Sequence, residues 1–269
     1  MMIFGKRSLM LLLTSLVLVS CNQFEYSPNQ IFDKDSRQDI NAANLKALGK
    51  GEGDDTVRFV LTGDTQKSRD ETVKLYQKVN QIPGIDFVVV AGDISEFGVL
   101  KEMEWIDREL EKLNMPYLAV IGNHDLTSRG KDVFLRMFGP LNYSFVYGGI
   151  KFICHDSNSR EYGFNGKVPD VDWLKTQLKP EAGVEHYVTI SHVPPISEDF
   201  DPKLVTDYTA AFAATPGFLA SLHAHTHNYE LFYPDKSGIP YVITSAVGNN
   251  EFLLVEIVNH KVSFERISF

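Results

Sequence analysis

Asp64, Gln66, Asp93, Asn123, His124, Asp125, His192, His225 and His227 all stand close behind the ends of short apolar runs. Taken singly they are ordinary. Asp64 and Asp93 suit helix N-caps, and His192 suits a hydrogen-bonded polar residue ahead of Pro194-Pro195. Gly122-Asn123-His124-Asp125 reads either as a capped turn or as a chemical site. His225 and His227, at i and i+2, point the same way if the segment is extended, which favours a shared metal centre over packing. His223 has the same parity but lies deeper in the run, where a buried, hydrogen-bonded imidazole is expected. Jointly, two carboxylates, an amide and several imidazoles at successive strand ends point to chemistry at one sheet edge. The carboxyl ends of parallel strands line such an edge, and ligands bind there.

The elements that position these groups alternate in type. Val57–Leu61, Phe87–Ala91 and Tyr117–Ile121 read as buried strands. Helical spacing follows the first over Asp70–Gln81, and a second helix covers Leu100–Leu113. This is a βαβ pattern with a sheet covered on both faces. The later half is richer in strands. Tyr143–Tyr147 and Ile150–Cys154 flank the hairpin signal Gly148-Gly149, and a helix follows Pro169-Asp170 over Val171–Leu178. Tyr187–Ile190, Phe218–Leu222, Tyr241–Thr244, Phe252–Val258 and Lys261–Ile267 complete the strands. Two sheets packed face to face with helices outside are expected.

The chain has 269 residues, 43% hydrophobic and 23% charged, with a formal charge of −9. That balance excludes a general nucleic-acid-binding surface, which needs clustered Lys and Arg. An acidic protein can still handle phosphate esters if bound metal ions supply the positive charge.

Lys6 and Arg7 precede an apolar run over Leu9–Val19 that closes in Leu18-Val19-Ser20-Cys21. Residues 1–20 therefore read as a secretory signal too short to span a bilayer comfortably, with a lipobox-like ending that makes Cys21 the lipid carrier. Residues 21–55 are polar and read as a tether with a short helix around Asn41–Leu48, leaving 56–269 as the folded domain. The expected location is the bacterial cell envelope, lipid-anchored on its periplasmic or extracellular face. With Cys21 acylated, Cys154 has no disulfide partner and reads as a small buried hydrophobe.

The ordered set Gly63-Asp64-x-Gln66, Gly92-Asp93, Gly122-Asn123-His124-Asp125, Ser191-His192 and Ala224-His225-Thr226-His227 resembles the calcineurin-like metallophosphoesterase family. The resemblance covers nearly all of the chain from Thr56 onward and implies a four-layer α/β/β/α sandwich of two mixed sheets flanked by helices. It further implies two divalent transition-metal ions. Asp64, Gln66 and His227 would hold the first, Asn123, His192 and His225 the second, and Asp93 would bridge them. Mixed imidazole, carboxylate and amide donors suit Mn, Fe, Zn or Co rather than Ca. By the same analogy His124 is the general acid at the leaving-group oxygen, with Asp125 orienting its ring, while a hydroxide on the metal pair attacks phosphorus. The chain departs from the family pattern twice. Gln66 stands where a histidine is usual, which predicts a looser first ion, and Ala224 replaces a glycine.

The expected activity is hydrolysis of a small phosphomonoester. A phosphodiesterase acting on a cyclic nucleotide or lipid headgroup is the alternative, and a non-catalytic binding lipoprotein comes third. Arg69, Arg129, Asn158, Arg160 and Tyr229 lie in segments able to approach the site, though for each a surface role is the simpler expectation.

Overall fold

A computed structural model describes residues 30–51 and 56–269. The signal-like run and Cys21 lie outside the described residues. Among the described residues, helix α1 (Ile40–Leu48) comes ahead of strand β1 (Thr56–Thr62). Helix α2 (Arg69–Val79) leads to β2 (Phe87–Ala91), and α3 (Leu100–Leu110) leads to β3 (Tyr117–Val120). After α4 (Gly130–Met137) come the hairpin β4 (Tyr143–Tyr147) and β5 (Ile150–Cys154), then α5 (Val171–Gln177) and β6 (His186–Ile190). Asp170 caps α5 by accepting a hydrogen bond from the Trp173 N–H. Helix α6 (Val205–Ala213), β7 (Phe218–His223), β8 (Glu230–Phe232), β9 (Tyr241–Ile243), β10 (Glu251–Val258) and β11 (Lys261–Ser268) complete the chain.

Two mixed sheets result, with orders β11-β10-β1-β2-β3 and β4-β5-β6-β7-β9-β8. The sequence halves do not map onto the sheets. β10 returns to pair antiparallel with β1, so the last hairpin completes the first sheet.

Strand alternation builds the layers. Phe59, Leu61, Phe87 and Val89 face Phe152, Val188, Ile190 and Leu222 of the other sheet in one buried cluster. Val60, Val88 and Val90 point the opposite way, against Leu75, Met103, Ile106 and Phe134 of the helices. A third cluster packs α5 and α6 on the second sheet through Leu174, Tyr208, Phe212 and Tyr187. The sandwich is therefore helix, sheet, sheet, helix. Four rings pin the sheets together: Phe59 stacks on Phe87 at 4.9 Å, and Phe152 meets both edge-on at 5.5 and 5.3 Å while stacking on Phe145. Such pairs contribute about 0.5–1.5 kcal/mol each beyond their burial.

The tether expected over 21–55 is not a tether across 30–51. Ile40 is buried in the outer core, and Asn41 uses its side-chain amide as a substitute strand neighbour for β3. Its Nδ2 donates to Ala119 O at 2.9 Å, and its Oδ1 accepts from Ala119 N at 2.8 Å. Asn44 donates to Tyr117 O, and Arg37 pairs with Asp107. β3 is the edge of its sheet, so α1 covers an otherwise open ladder. The polar composition that suggests a linker here serves edge capping instead. No helix among the described residues is long and apolar enough to cross a membrane.

Asn41→Ala should leave the buried Ala119 N–H unpaired, with Ala119 O still held by the Tyr143 hydroxyl, and destabilise the fold by about 1–3 kcal/mol. Thermal melting should show a loss of roughly 2–4 °C per kcal/mol. An unchanged melt would mean that α1 frays independently of the domain.

Candidate active site

The loops that follow β1, β2, β3, β6 and β7 converge at the carboxyl edge of the two sheets. Their backbones approach so closely that side chains are excluded at two positions. A Cβ on Gly122 would lie 2.1 Å from Asp93 N, and one on Gly92 (φ +89°) would lie 2.6 Å from His192 Nδ1. Asp64 (φ 53°) and Asp93 (φ 54°) adopt the left-handed region, which Asp tolerates better than most residues. Both carboxylates are buried at this edge.

Around Asp93 the groups divide into two sets. On one side Gln66 Nε2 donates to Asp93 Oδ2 at 3.2 Å, and His227 Nε2 lies 3.3 Å from Asp64 Oδ1. On the other, His192 Nε2 lies 3.3 Å from Asp93 Oδ2, and Asn123 Oδ1 lies 3.1 Å from both His192 Nε2 and His225 Nδ1. All seven residues expected around a metal centre are thus brought together. His225 and His227 reach it differently from the expectation. They do not extend β7 but sit in a turn with φ 79° and 65°, which sends one imidazole to each set.

The cluster fits cations. Asp64 Oδ1 and Gln66 Oε1 are buried without a hydrogen-bond partner. One oxygen each of Asp64 and Asp93 and a nitrogen of His192 lie within 4.8 Å of one another. Burial alone would push the His192 imidazolium down, yet the Asp93 carboxylate holds its pKa up at about 10. A proton there occupies ground that a metal would take. His192 Nδ1 donates to Ala91 O at 2.7 Å, which fixes the tautomer and leaves Nε2 facing the cluster. Burial drives the His225 pKa down to about 4, a neutral imidazole suited to ligation.

His124 lines the cleft, but Asp125 does not orient its ring. Asp125 is fully buried and accepts from the N–H groups of Gly122, Ile94 and Ser95 and from Ser95 Oγ. Burial and the Asp93 carboxylate push its pKa up to about 6, against the pull of those N–H donors. Its role is to tie the β2 and β3 loops together. The group facing the ring is Glu96: its carbonyl lies 3.1 Å from His124 Nδ1 and its Oε2 lies at 3.4 Å. Since a carbonyl only accepts, Nδ1 carries the hydrogen and Nε2 remains for proton exchange. Asp125 is drawn away from the ring because it takes its donors from a loop thirty residues earlier in the chain.

Glu96 and Asp199 are functional neighbours that the sequence did not single out. Asp199 Oδ2 lies 3.1 Å from His225 Nε2. Glu96 stands three residues after Asp93, a spacing that offers a signal; Asp199 lies in an irregular stretch and offers none. The polar loop groups are mostly committed to partners within the protein. Arg69 pairs with Glu109, Arg160 with Asp199, Asn158 donates to Ile121 O, and Tyr229 lies under Arg266. His223 is buried between Ser191 Oγ and Ser221 Oγ, as its depth in the strand predicts. Cys154 is a free, buried thiol, pushed up by burial to about 12.

Residues 57–229 match the sequence profile of the calcineurin-like phosphoesterases. The chain belongs to that family. It is accordingly a phosphoester hydrolase. This phosphoesterase is 27% identical over 201 residues to a probable cyclic nucleotide phosphodiesterase of Xenorhabdus bovienii, covering 75% of this chain and 67% of that one. A dimetal phosphatase from Danio rerio superposes with a TM-score of 0.64 at 13% identity, over 79% of this chain and 96% of that one. A purple acid phosphatase from yellow lupin (Lupinus luteus) seeds gives 0.63 at 14% identity, over 82% of this chain and 52% of that one. At such identities the structural likeness is one of fold.

Asp125→Ala in this phosphoesterase should lower stability by at least about 2 kcal/mol, since it strips the acceptor from buried donors. Urea denaturation is the check, and an unshifted midpoint would remove Asp125 from the loop framework. His155, buried with Nε2 3.1 Å from Tyr208 OH, has its pKa lowered by burial to about 3. The unfolded chain then binds a proton below about 6.5 that the folded chain refuses, so stability falls as pH drops from there toward 3. At pH 4.5 this residue should account for roughly 2–3 kcal/mol of the loss. Denaturation of His155→Gln across that range should show a shallower pH slope than the parent.

Proposed function

We propose that the protein is a metal-dependent phosphodiesterase acting on a small ester at the bacterial cell envelope. The carrying observation is charge. Among the described residues lining the cleft of about 380 Å³, Lys67 is the one lysine or arginine, and its Nζ lies 2.5 Å from Glu96 Oε1. Arg160 is likewise neutralised by Asp199 beside His225. Beyond any bound metal ions, the second charge of a monoester dianion meets no uncommitted lysine or arginine among these groups, whereas a diester carries a single charge. That favours the diester over the monoester, and the name of the Xenorhabdus relative supports the same order.

The residues suited to hold two ions are Asp64, Gln66 and His227 on one side and Asn123, His192 and His225 on the other, with Asp93 shared. The donor set suits Mn, Fe, Zn or Co. Such ions, when bound, activate water and neutralise charge on phosphoryl oxygens. The remaining work falls to the chain. Gln66 Nε2 holds the Asp93 carboxylate in orientation. His192 keeps one tautomer through Ala91 O. His124, its Nδ1–H held by Glu96 O, gives the Nε2 proton to the departing alkoxide, a contribution worth roughly 10²–10⁴-fold. A pure binding protein has no need of that donor. The signal-like N-terminus and Cys21 support a lipid-anchored location facing away from the cytoplasm.

The test is hydrolysis of bis-p-nitrophenyl phosphate and p-nitrophenyl phosphate by protein stripped of metal and reloaded with Mn. The expected result is no turnover when stripped, and a kcat/KM at least about tenfold higher on the diester once reloaded. Preference for the monoester would overturn the diester reading, and turnover without metal would overturn the metal centre.

A further inference from the structure

We propose that a second cleft, beside the metal-ligand cluster, seats a planar aromatic group carried by the phosphoester; the proposal rests on the phosphoesterase reading and names its substrate class. This cleft, of about 400 Å³, has Ile94 and Ile106 as its floor and Phe97 and Trp105 on its walls. Phe97 is 59% exposed and Trp105 48% exposed. Two large aromatic rings left open to solvent in one concavity form an apolar surface that folding alone does not explain.

The cleft continues into the active-site cleft. Gln66, Lys67 and Glu96 line both, and the Lys67–Glu96 ion pair forms the partition. Glu96 also faces the His124 ring. A phosphoester held at the metal-ligand cluster therefore has a neutral, apolar slot directly beside it.

The slot is built before any ligand arrives. Glu102 Oε2 accepts the N–H groups of both Glu96 and Phe97, at 3.0 and 2.9 Å. Gly98 N donates to Ser95 Oγ at 3.1 Å. Gly98 itself has φ +63°, and a Cβ there would fall 2.3 Å from Thr127 O. The loop is thus tied to α3 and pressed on the neighbouring loop while it holds Phe97 outward. Rigid presentation lowers the entropy lost on binding. Flat rings on the walls favour a flat partner by stacking, whereas an acyl chain gains nothing from ring orientation. An uncharged ring is also what the cleft accommodates best, because Lys67 pairs with Glu96 and Arg69 with Glu109.

The chain has two tryptophans, so Trp173→Phe leaves Trp105 as the sole one. In that background, loaded with Mn, the probes are adenosine 5′-monophosphate, ribose 5-phosphate and octyl phosphate. Adenosine monophosphate should change the Trp105 emission saturably and bind at least about tenfold more tightly than ribose 5-phosphate. Phe97→Ala and Phe97→Leu should each weaken adenosine monophosphate about tenfold and leave inhibition by ribose 5-phosphate within about twofold. Equal affinities for the two phosphates would overturn the slot. So would octyl phosphate matching the nucleotide while Phe97→Leu binds both as tightly as the parent, the signature of a merely greasy surface. Inhibition by ribose 5-phosphate reports an intact phosphoesterase centre, so a missing ring effect alone sinks the slot. Absence of metal-dependent hydrolysis sinks the parent reading and the slot with it.

Discussion

The site turns on burying the Asp93 carboxylate at the junction of two sheets. Asp93 is nearly solvent-free, yet it accepts from His124 N and Gln66 Nε2 and faces His192 Nε2. Each partner comes from a different strand end. Burial works against its charge, while the His192 imidazole and the His124 N–H pull its pKa below the ordinary value. An ionised carboxylate in such a place needs compensating positive charge, or the fold would expel it. The glycines at 92 and 122 follow from this, since a side chain at either would separate Asp93 from the groups that compensate it.

That arrangement is held from behind by apolar packing. Phe59, Phe87 and Phe152 lock the sheets face to face, and the strands they lie on carry the loops of Asp64, Asp93 and the Ser157–Asn158 stretch forward to the edge. Asn158 closes the loop between these layers by donating to Ile121 O, one residue before Gly122. Asp125 does the same between the β2 and β3 loops. The α1 segment secures β3 along its free edge, and the Tyr143 hydroxyl reaches Ala119 O from the other sheet. Chemistry at the edge therefore depends on groups that never touch the cleft.

The candidate ligand positions stand out in the sequence because buried parallel strands are continuous apolar runs, so a polar group just beyond them is conspicuous. The first three strands and two intervening helices appear as their spacing predicts. Helix α4 is only eight residues long, and β8 only three, too short to show a period. Helix α6 is rich in alanine on its outer side, so Tyr208 and Phe212 have little polar contrast to reveal the buried face. The site's finer wiring was hidden for a different reason. Asp125 adjoins His124 in sequence, but besides the Gly122 N–H its carboxylate accepts from residues 94 and 95, and nothing local announces those two. His225 and His227 converge through left-handed turns rather than strand parity. Strand-end position points to the residues that the fold gathers at this edge, but adjacency in sequence misassigns the contact between Asp125 and His124 and gives no sign of Asp199.

Charge explains why an acidic protein suits an anionic ester. The candidate ligands contain only two carboxylates, Asp64 and Asp93, because Gln66 and Asn123 are neutral amides. Two divalent ions held by that set would leave a local excess of positive charge, enough to attract a phosphate without free Arg or Lys. Glu96 and Asp199 stand just outside, each already facing an imidazole and an ion-paired cation. They would temper that excess and oppose the approach of a second negative charge. On the proposed reading, a monoanion that carries an uncharged group into the neighbouring apolar cleft would fit this balance better than a dianion. Gln66 belongs to the same balance: its carbonyl oxygen is free to ligate while its N–H orients Asp93, two tasks that one neutral amide can perform together.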